Sequence, residues 1–322
     1  MMSENKRYLS IDFLRGFCVL WIIWYHTSHP EFVNYPFFNA TLFFVSGVVF
    51  KPYDWKTFLK KRINQLLVPF FFFYILYYIF LILLNYSKEG IVSQDIALSV
   101  LGLFKLYTYN DAFIVNYPLW FVLALFNIQI IFKFVVRIIP QEYAILLIVT
   151  LISMAGHFYI RTIPTPFMLG KSLPYLLFFA IGYLYGKRLL NCSMTCQSFL
   201  SFCVLWFFLF CVNRYMDGTF ILVQDLEIVV FACVLLLTSR ILESLRIADV
   251  FVFYGANSYV VLGLHEMFLT ISRILCVWIV GEMNIILGII NLIISMILLY
   301  FSIKFLNKYM PISIGKKDLL EV

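Results

Sequence analysis

Long apolar runs dominate the chain, and polar or proline-marked breaks divide them into segments of similar length. A helix that crosses the hydrocarbon core of a bilayer needs about 20 predominantly apolar residues. Prolines cluster at the breaks, where a missing backbone N–H costs least. The pattern predicts ten helices, over residues 10–28, 36–51, 65–85, 118–138, 142–159, 174–188, 198–213, 219–239, 252–272 and 284–306.

The composition indicates a membrane protein. Of the 322 residues, 63% are hydrophobic and 13% are charged, and the mean hydropathy is +0.94. Because soluble domains carry about 25% charged residues, this chain cannot fold as a water-soluble globule. We predict an all-α, polytopic membrane helix bundle of about ten transmembrane helices. We expect one transmembrane domain over residues 1–322, with a helical core at about 7–306 and a short C-terminal tail at 307–322.

The basic residues are distributed unevenly between the predicted loops. If the N-terminus is cytoplasmic, 17 of the 24 lysines and arginines fall on the cytoplasmic side, 6 fall on the outer side and Arg15 lies within the first helix. Because cytoplasmic loops carry the excess of basic residues, we predict that both termini are cytoplasmic. The net charge of +7 then reflects topology, and we expect no nucleic-acid partner.

The longest predicted outer loop, residues 86–117, contains an apolar stretch at 91–104. The stretch is too short to span a bilayer and carries Gln94 and Asp95, so it predicts an interfacial or re-entrant helix. Such a helix either roofs a cavity or lies passively on the membrane surface.

The cysteines and histidines follow no common metal-binding pattern. The seven cysteines lie mostly within apolar segments and have no C-x-x-C spacing, so we predict thiols that behave as small hydrophobic groups. His265-Glu266 lacks the H-E-x-x-H spacing of a zinc protease because position 269 is Leu269. We therefore predict no metal site.

The first helix carries three ionisable side chains in an apolar context, Asp12, Arg15 and His26. Charged groups near the bilayer centre cost at least about 2.5 kcal/mol on insertion scales, so each is a candidate for function. Arg15 and His26 are eleven residues apart, which places them on one helix face about 16 Å apart along the axis, with Asp12 one turn before Arg15.

This spacing suits a reaction whose substrates arrive from opposite sides of the membrane. Arg15, near the cytoplasmic edge, has the donor geometry for a phosphate group, and His26, near the outer end, suits a general base. Alternatively, Arg15 reaches the cytoplasmic headgroups and His26 forms a hydrogen bond within the bundle. The position of both residues on one helix face favours the functional interpretation.

A second pair, His265-Glu266, is either a structural interhelical contact or part of an active-site wall.

Several motifs resemble those of a known family. The first helix contains Ile11-Asp12-x-x-Arg15-Gly16 followed by His26. The other matching motifs are Phe43-Phe44-Val45-Ser46-Gly47, Lys60-Lys61-Arg62 before Pro69, Leu119-Trp120-Phe121, Gly182-Tyr183, and Asn257-Ser258-Tyr259 before His265. In this order, over roughly residues 7–306, they resemble the acyltransferase 3 family of bacterial membrane acyltransferases, and most of all the branch of fucose acetylases and related surface-sugar O-acetyltransferases.

The resemblance implies a reaction and a set of site residues. The donor is a cytoplasmic acyl-CoA, often acetyl-CoA, which is a co-substrate and not a bound cofactor. The acceptor is a hydroxyl of a cell-surface carbohydrate or of its lipid-linked precursor, and the protein lies among the lipids of a bacterial inner membrane. His26 corresponds to the catalytic base, and Arg15 to a donor-site residue. We add Asp12, Lys61 and Arg62 to the donor-site candidates.

The basic stretch before the third helix departs from the family pattern. Family members commonly carry a second arginine three positions after the first, whereas Gln65 stands three residues after Arg62. An uncharged amide binds phosphate more weakly.

The remaining candidates would contact the acceptor or donate hydrogen bonds to the oxyanion. They are Trp120, Asn257, Ser258, His265 and Glu266, with Tyr259 as a further donor. Direct transfer and a relay through an acyl-enzyme on Ser46 or a cysteine both stay open. The alternative function is a polytopic transporter or exporter of a glycan or lipid precursor.

Overall fold

The computed structural model of the protein describes residues 8–27, 37–89, 116–160, 165–193, 195–216, 218–242, 245–246, 248–281 and 285–321, and these residues form an all-α structure. The predicted stretch at 91–104, together with His29 and Glu31, lies outside the described residues. The helices are α1 Leu9–Tyr25, α2 Phe37–Val48, α3 Trp55–Arg62, α4 Val68–Glu89, α5 Trp120–Ile138, α6 Glu142–Phe158, α7 Leu176–Asn191, α8 Cys196–Tyr215, α9 Ile221–Leu242, α10 Ala248–Ala256, α11 Ser258–Val280 and α12 Ile285–Tyr309.

Length and apolar composition allow six helical segments in the described part of the chain to cross a membrane. They are Trp55–Ser87, Tyr117–Ile138, Cys196–Tyr215, Ile221–Leu242, Ser258–Val280 and Ile285–Tyr309. The protein is therefore a multi-pass integral membrane protein.

The observed boundaries differ from the predicted ones at two places. The predicted ninth helix, 252–272, is divided at Asn257 into α10 and α11, and α11 continues to Val280. The Asn257 side chain donates a hydrogen bond to the Phe253 carbonyl oxygen at 2.7 Å, so it competes with the regular helical pattern at the break. The predicted third helix begins ten residues before position 65, at Trp55.

The early start of α3 has a local cause in Asp54. Its carboxylate caps the helix by accepting a hydrogen bond from the Thr57 backbone N–H at 2.9 Å, and this contact lowers the pKa of Asp54. A π-helical turn over Ile63–Leu67 joins α3 to α4. Because a π turn hydrogen-bonds from residue i to i+5, it adds one residue to the helical register. The charged stretch Lys60-Lys61-Arg62 is thus part of a continuous, bulged helix.

The chain divides into two compact units. The first comprises Met1–Ile22, Asn34–Phe50 and Phe178–Ser258, and the second comprises Ile23–Val33, Lys51–Leu177 and Tyr259–Val322. In the first unit, α1 and α10 contact each other through glycines. A Cβ atom on Gly16 would lie 1.8 Å from the Phe251 carbonyl oxygen, and one on Gly255 would lie 1.7 Å from the Asp12 carbonyl oxygen.

A second glycine pair in the same unit joins α2 and α7. A Cβ atom on Gly47 would lie 2.0 Å from the Phe179 carbonyl oxygen, and one on Gly182 would lie 2.0 Å from the Phe44 carbonyl oxygen. Small residues let helix backbones approach closely where no side chain intervenes. Two of the family motifs, Phe43–Gly47 and Gly182-Tyr183, therefore meet at one helix contact.

In the second unit, the segment that follows α12 packs against the π turn. The buried Asn64 side chain accepts hydrogen bonds from the backbone N–H groups of Leu319 and Leu320 and donates one to the Leu320 carbonyl oxygen at 2.8 Å. Gly315 approaches the same turn with a φ of +69°, a conformation that favours glycine.

α8 faces mainly outward, since Leu209 is its one buried residue. This position bears on the cysteine prediction. Cys18, Cys233 and Cys276 are buried as predicted, whereas Cys192, Cys196 and Cys211 are exposed. Cys211 lies within the outward-facing apolar helix α8, so its surroundings are still apolar in a membrane.

Candidate active site

His26 follows directly after the last residue of α1. The turn is held by backbone hydrogen bonds from His26 to Ile23 at 3.2 Å and from Thr27 to Trp24 at 3.0 Å. Arg273 of α11 donates a further hydrogen bond to the His26 carbonyl oxygen at 3.1 Å. The backbone of His26 is therefore anchored to α11, and its imidazole is 27% exposed.

The imidazole of His26 pairs with the carboxylate of Glu266. His26 Nδ1 lies 3.1 Å from Glu266 Oε1, and the Glu266 side chain is 24% exposed. A carboxylate oxygen can only accept, so in this contact Nδ1 carries the proton. In the neutral imidazole Nε2 is then the acceptor nitrogen. A base whose tautomer is set in this way by a carboxylate is the arrangement that general-base catalysis uses.

His265 lies beside this pair and is completely buried. The ring centroids of His26 and His265 are 5.5 Å apart. His265 Nδ1 lies 2.9 Å from the Val261 carbonyl oxygen, and because that oxygen only accepts, Nδ1 is the protonated nitrogen. Among the residues that the structure describes, His265 Nε2 has no hydrogen-bond partner, and as an acceptor it cannot donate to an oxyanion while the ring is neutral.

Helix α4 forms a neighbouring wall of this site. Phe73 packs against Gly263, where a Cβ atom would lie 2.3 Å from the ring. One turn later Tyr77 forms a side-chain hydrogen bond with Thr270 and lies near Glu266 and Arg273. The buried Asn116 donates to the Gly263 carbonyl oxygen at 2.7 Å. These contacts fix the first half of α11, which carries His265 and Glu266.

A group of basic and aromatic side chains surrounds the start of α3 in the same unit. Lys61 Nζ lies 4.4 Å from the centre of the Tyr53 ring. Nζ of the buried Lys133 lies 4.7 Å from the centre of the Trp55 ring. Arg62 donates to the Gln65 side-chain oxygen at 3.1 Å. Gln65, which stands where the family pattern has an arginine, thus orients Arg62.

The other predicted site residues are distributed over the two units. Asp12 and Arg15 form an ion pair at 3.7 Å in the first unit. Asn257 and Ser258 lie at the end of that unit, and Ser258 begins α11. Trp120 lies in the second unit, and Lys171 Nζ is 4.1 Å from the centre of its ring.

Sequence reasoning missed three side chains near these sites, Tyr77, Arg273 and Lys171. An arginine seven residues after Glu266 lies on nearly the same helix face as that glutamate. That spacing was a usable signal. Tyr77 is one of 21 tyrosines, and nothing in the sequence distinguishes it.

A family model described as an acyltransferase domain matches residues 8–305. The chain belongs to the acyltransferase 3 family. This membership confirms the resemblance to the family, while the fucose-acetylase branch stays a prediction. Together with the apolar helices, it makes the protein a membrane acyltransferase. No curated protein and no solved structure matches the chain. The matched range includes both His26 and Glu266.

Proposed function

We propose that the protein transfers an acyl group from cytoplasmic acyl-CoA to a hydroxyl of a cell-surface carbohydrate or its lipid-linked precursor, with His26 as the general base. The His26–Glu266 pair, at 3.1 Å, carries the proposal. The acyl group is acetyl, as in the branch that the sequence resembles most, and the membrane is the bacterial inner membrane.

The pair suits this chemistry because a sugar hydroxyl is a weak nucleophile. His26 Nε2 takes the hydroxyl proton as the oxygen attacks the thioester carbonyl carbon. The carbon–sulfur bond then breaks, and the protonated His26 returns the proton to the coenzyme A thiolate. General-base assistance of this kind contributes about 10²- to 10⁴-fold. Glu266 holds the Nδ1 proton and stabilises the imidazolium during the transfer.

The donor site takes its charge from basic residues. Lys61 and Arg62 lie beside Tyr53 and Phe58, so they combine positive charge with aromatic faces. These features suit the phosphates and the adenine ring of a coenzyme A. Arg15, oriented by Asp12 at 3.7 Å, is the further donor-site residue that the family motif indicates.

The test measures coenzyme A release and label transfer from radiolabelled acetyl-CoA to a cell-envelope glycan extract, with purified protein in nanodiscs. We expect transfer by the wild-type protein and its loss, by at least about 100-fold, in His26→Ala. His157→Ala, which removes a histidine of α6, is the matched control and should retain transfer.

Equal transfer by wild type and His26→Ala would remove His26 as the base. Glycan or lipid flux through wild-type proteoliposomes without acyl-CoA would instead support a transporter.

A further inference from the structure

Three side chains that commonly ligate metals converge where α1 ends. One ligand atom from each of His26, His265 and Glu266 lies within 4.8 Å of the others. His26 and His265 are 239 residues apart in the chain, so no local spacing motif predicts this set. Two histidines and one carboxylate match the donor set of many zinc and iron sites with an open coordination position.

His265 has the hydrogen bonding of a metal-ligating histidine. A histidine that binds a metal through one ring nitrogen normally donates the other N–H to a carbonyl or carboxylate oxygen. Nδ1 of His265 donates to the Val261 carbonyl oxygen at 2.9 Å. Nε2 has no hydrogen-bond partner in the described part of the chain, although the side chain is completely buried. The lone pair of this nitrogen is thus unused and held in a fixed direction.

One of the three ligand-atom separations is already that of a tetrahedral zinc site, and all three are within 4.8 Å. With Zn–N and Zn–O distances near 2.0–2.1 Å, neighbouring ligand atoms lie about 3.3 Å apart. His26 Nδ1 and Glu266 Oε1 are already 3.1 Å apart. Both side chains are about a quarter exposed and can rotate toward His265, which is fixed. The fourth position would hold water.

We propose that His26, His265 and Glu266 bind a divalent transition-metal ion, with Zn²⁺ as the best fit, and that the bound ion inhibits acyl transfer. Binding rests on the geometry of the three side chains alone. Inhibition rests on the proposed function, because an ion bound to His26 Nδ1 leaves the ring proton on Nε2, the nitrogen that would otherwise accept the hydroxyl proton.

The first experiment titrates Zn²⁺ into chelator-treated wild-type protein in nanodiscs by isothermal titration calorimetry, with Co²⁺ as a spectroscopic probe. We expect one ion per chain and a visible Co²⁺ spectrum of nitrogen and oxygen ligands. The exposed thiols of Cys192 and Cys196 are the main competing site. A near-ultraviolet thiolate-to-cobalt charge-transfer band at the first equivalent would overturn the assignment.

Three variants identify the ligands. His265→Asn keeps a donor for the Val261 carbonyl oxygen but removes Nε2, and Glu266→Gln removes the negative charge. Each should weaken Zn²⁺ binding by more than about 10- to 100-fold, the loss typical of an outer-shell partner. His157→Gln, the control for histidine content, should bind as wild type. Wild-type affinity in Glu266→Gln, which is partly exposed and has little effect on packing, would overturn the proposal even if His265→Asn failed to fold.

The inhibitory half is tested in the acyl-transfer assay. Zn²⁺ should inhibit the wild-type protein at concentrations near the measured dissociation constant, and EDTA should restore the rate. Bound Zn²⁺ with an unchanged rate would overturn inhibition. An inactive preparation that still binds Zn²⁺ through these ligands would count against the proposed function and support the site.

Discussion

At the scale of single residues, the candidate site depends on where protons reside. One carboxylate oxygen and one backbone carbonyl oxygen determine which nitrogen is protonated in each of the two neighbouring histidines. His26 faces Glu266 with Nδ1, and His265 faces the Val261 carbonyl oxygen with Nδ1. Both rings therefore present Nε2 as an acceptor in their neutral forms. The difference is exposure, since His265 is completely buried and His26 can be reached by a substrate.

Replacement of Glu266 tests the orientation of the base. In Glu266→Gln the amide either accepts from Nδ1 without charge or donates to it and forces the proton to Nε2. We expect kcat to fall by about 10²- to 10⁴-fold, with little change in the KM for the acyl donor. Steady-state kinetics in nanodiscs measures this split. The exposed Glu142 supplies the control Glu142→Gln, and a kcat for Glu266→Gln within twofold of wild type would contradict the assignment.

The glycine contacts make a second prediction at residue scale. In Gly255→Ala the new methyl group meets the Asp12 carbonyl oxygen at 1.7 Å, and backbone cannot move aside without separating α1 from α10. In Gly186→Ala the nearest atom is the Val48 Cγ2 at 2.3 Å, the end of a side chain. Overpacking typically costs about 1–3 kcal/mol, so we expect Gly255→Ala to exceed that range and Gly186→Ala to fall within it.

Thermal unfolding followed by tryptophan fluorescence measures the difference between these variants. The double variant Gly186→Ala/Val48→Ala supplies the internal control, because removal of the valine methyl groups makes room for the added one. Equal losses of stability in Gly255→Ala and Gly186→Ala would show that the close backbone contact is not what limits substitution.

At the scale of elements, the π turn between α3 and α4 holds several parts of the second unit together. The half-buried Tyr259 donates its hydroxyl to the Leu66 carbonyl oxygen at 2.6 Å. In this way α11 donates a hydrogen bond to a backbone carbonyl group of the bulge. Asn64 of the same turn binds Leu319 and Leu320. The turn thus joins α4, α11 and the C-terminal segment.

Tyr259→Phe tests this structural role. Loss of the hydroxyl leaves the buried Leu66 carbonyl oxygen without its donor, which should lower stability by about 1–3 kcal/mol with little effect on kcat. Unfolding midpoints and acyl-transfer rates of the same preparation check both parts. Tyr143→Phe, at an exposed position, is the control. A fall in kcat of about 10²- to 10³-fold at unchanged stability would instead support Tyr259 as an oxyanion donor.

Apolar periodicity predicted the helices but not their interruptions. α5, α6, α9 and α12 begin and end within a few residues of the predicted positions, because their apolar runs coincide with their helices. The early start of α3 was missed since its residues are charged and depend on the Asp54 cap. The break at Asn257 depends on one side-chain hydrogen bond. Side-chain hydrogen bonds of this kind do not change the spacing of the apolar residues, so the hydrophobic pattern does not reveal them.

The candidate site was predictable only in part for a similar reason. His26 and Arg15 share a helix, so their spacing carries information. The approach of His265 and Glu266 to His26 depends on the packing of α4 and α11, including Phe73 against Gly263. The sequence therefore left the role of His265-Glu266 open between structural contact and active-site wall.

At the scale of the whole molecule, short helices bear on the number of membrane crossings. α2 has 12 residues and rises about 18 Å, which is less than the hydrocarbon thickness of about 30 Å. α1 and α6 have 17 residues each and come closer to it. The prediction of ten crossings therefore requires that residues beyond the ends of these short helices also lie within the membrane.

Topology can be measured on α8, whose ends lie far apart and are accessible. If both termini are cytoplasmic, Cys196 at the start of α8 faces the cytoplasm and Tyr215, 92% exposed at its end, faces outward. In a variant with no other cysteine, a membrane-impermeant maleimide should label Cys196 only in inverted vesicles. Tyr215→Cys in a cysteine-free background should be labelled only in intact cells. The reverse pattern would invert the predicted orientation.

The paired glycine contacts also determine how a mutational screen of this protein must be interpreted. Gly16 is adjacent to Arg15, yet any side chain at Gly16 meets the Phe251 carbonyl oxygen at 1.8 Å. Variants at positions 15 and 16 would therefore lose activity alike in such a screen. At position 15 the cause is the loss of a chemical group, and at position 16 it is a steric clash. Protein abundance in the membrane separates the two classes, since a steric defect removes the protein and a chemical one leaves it in place.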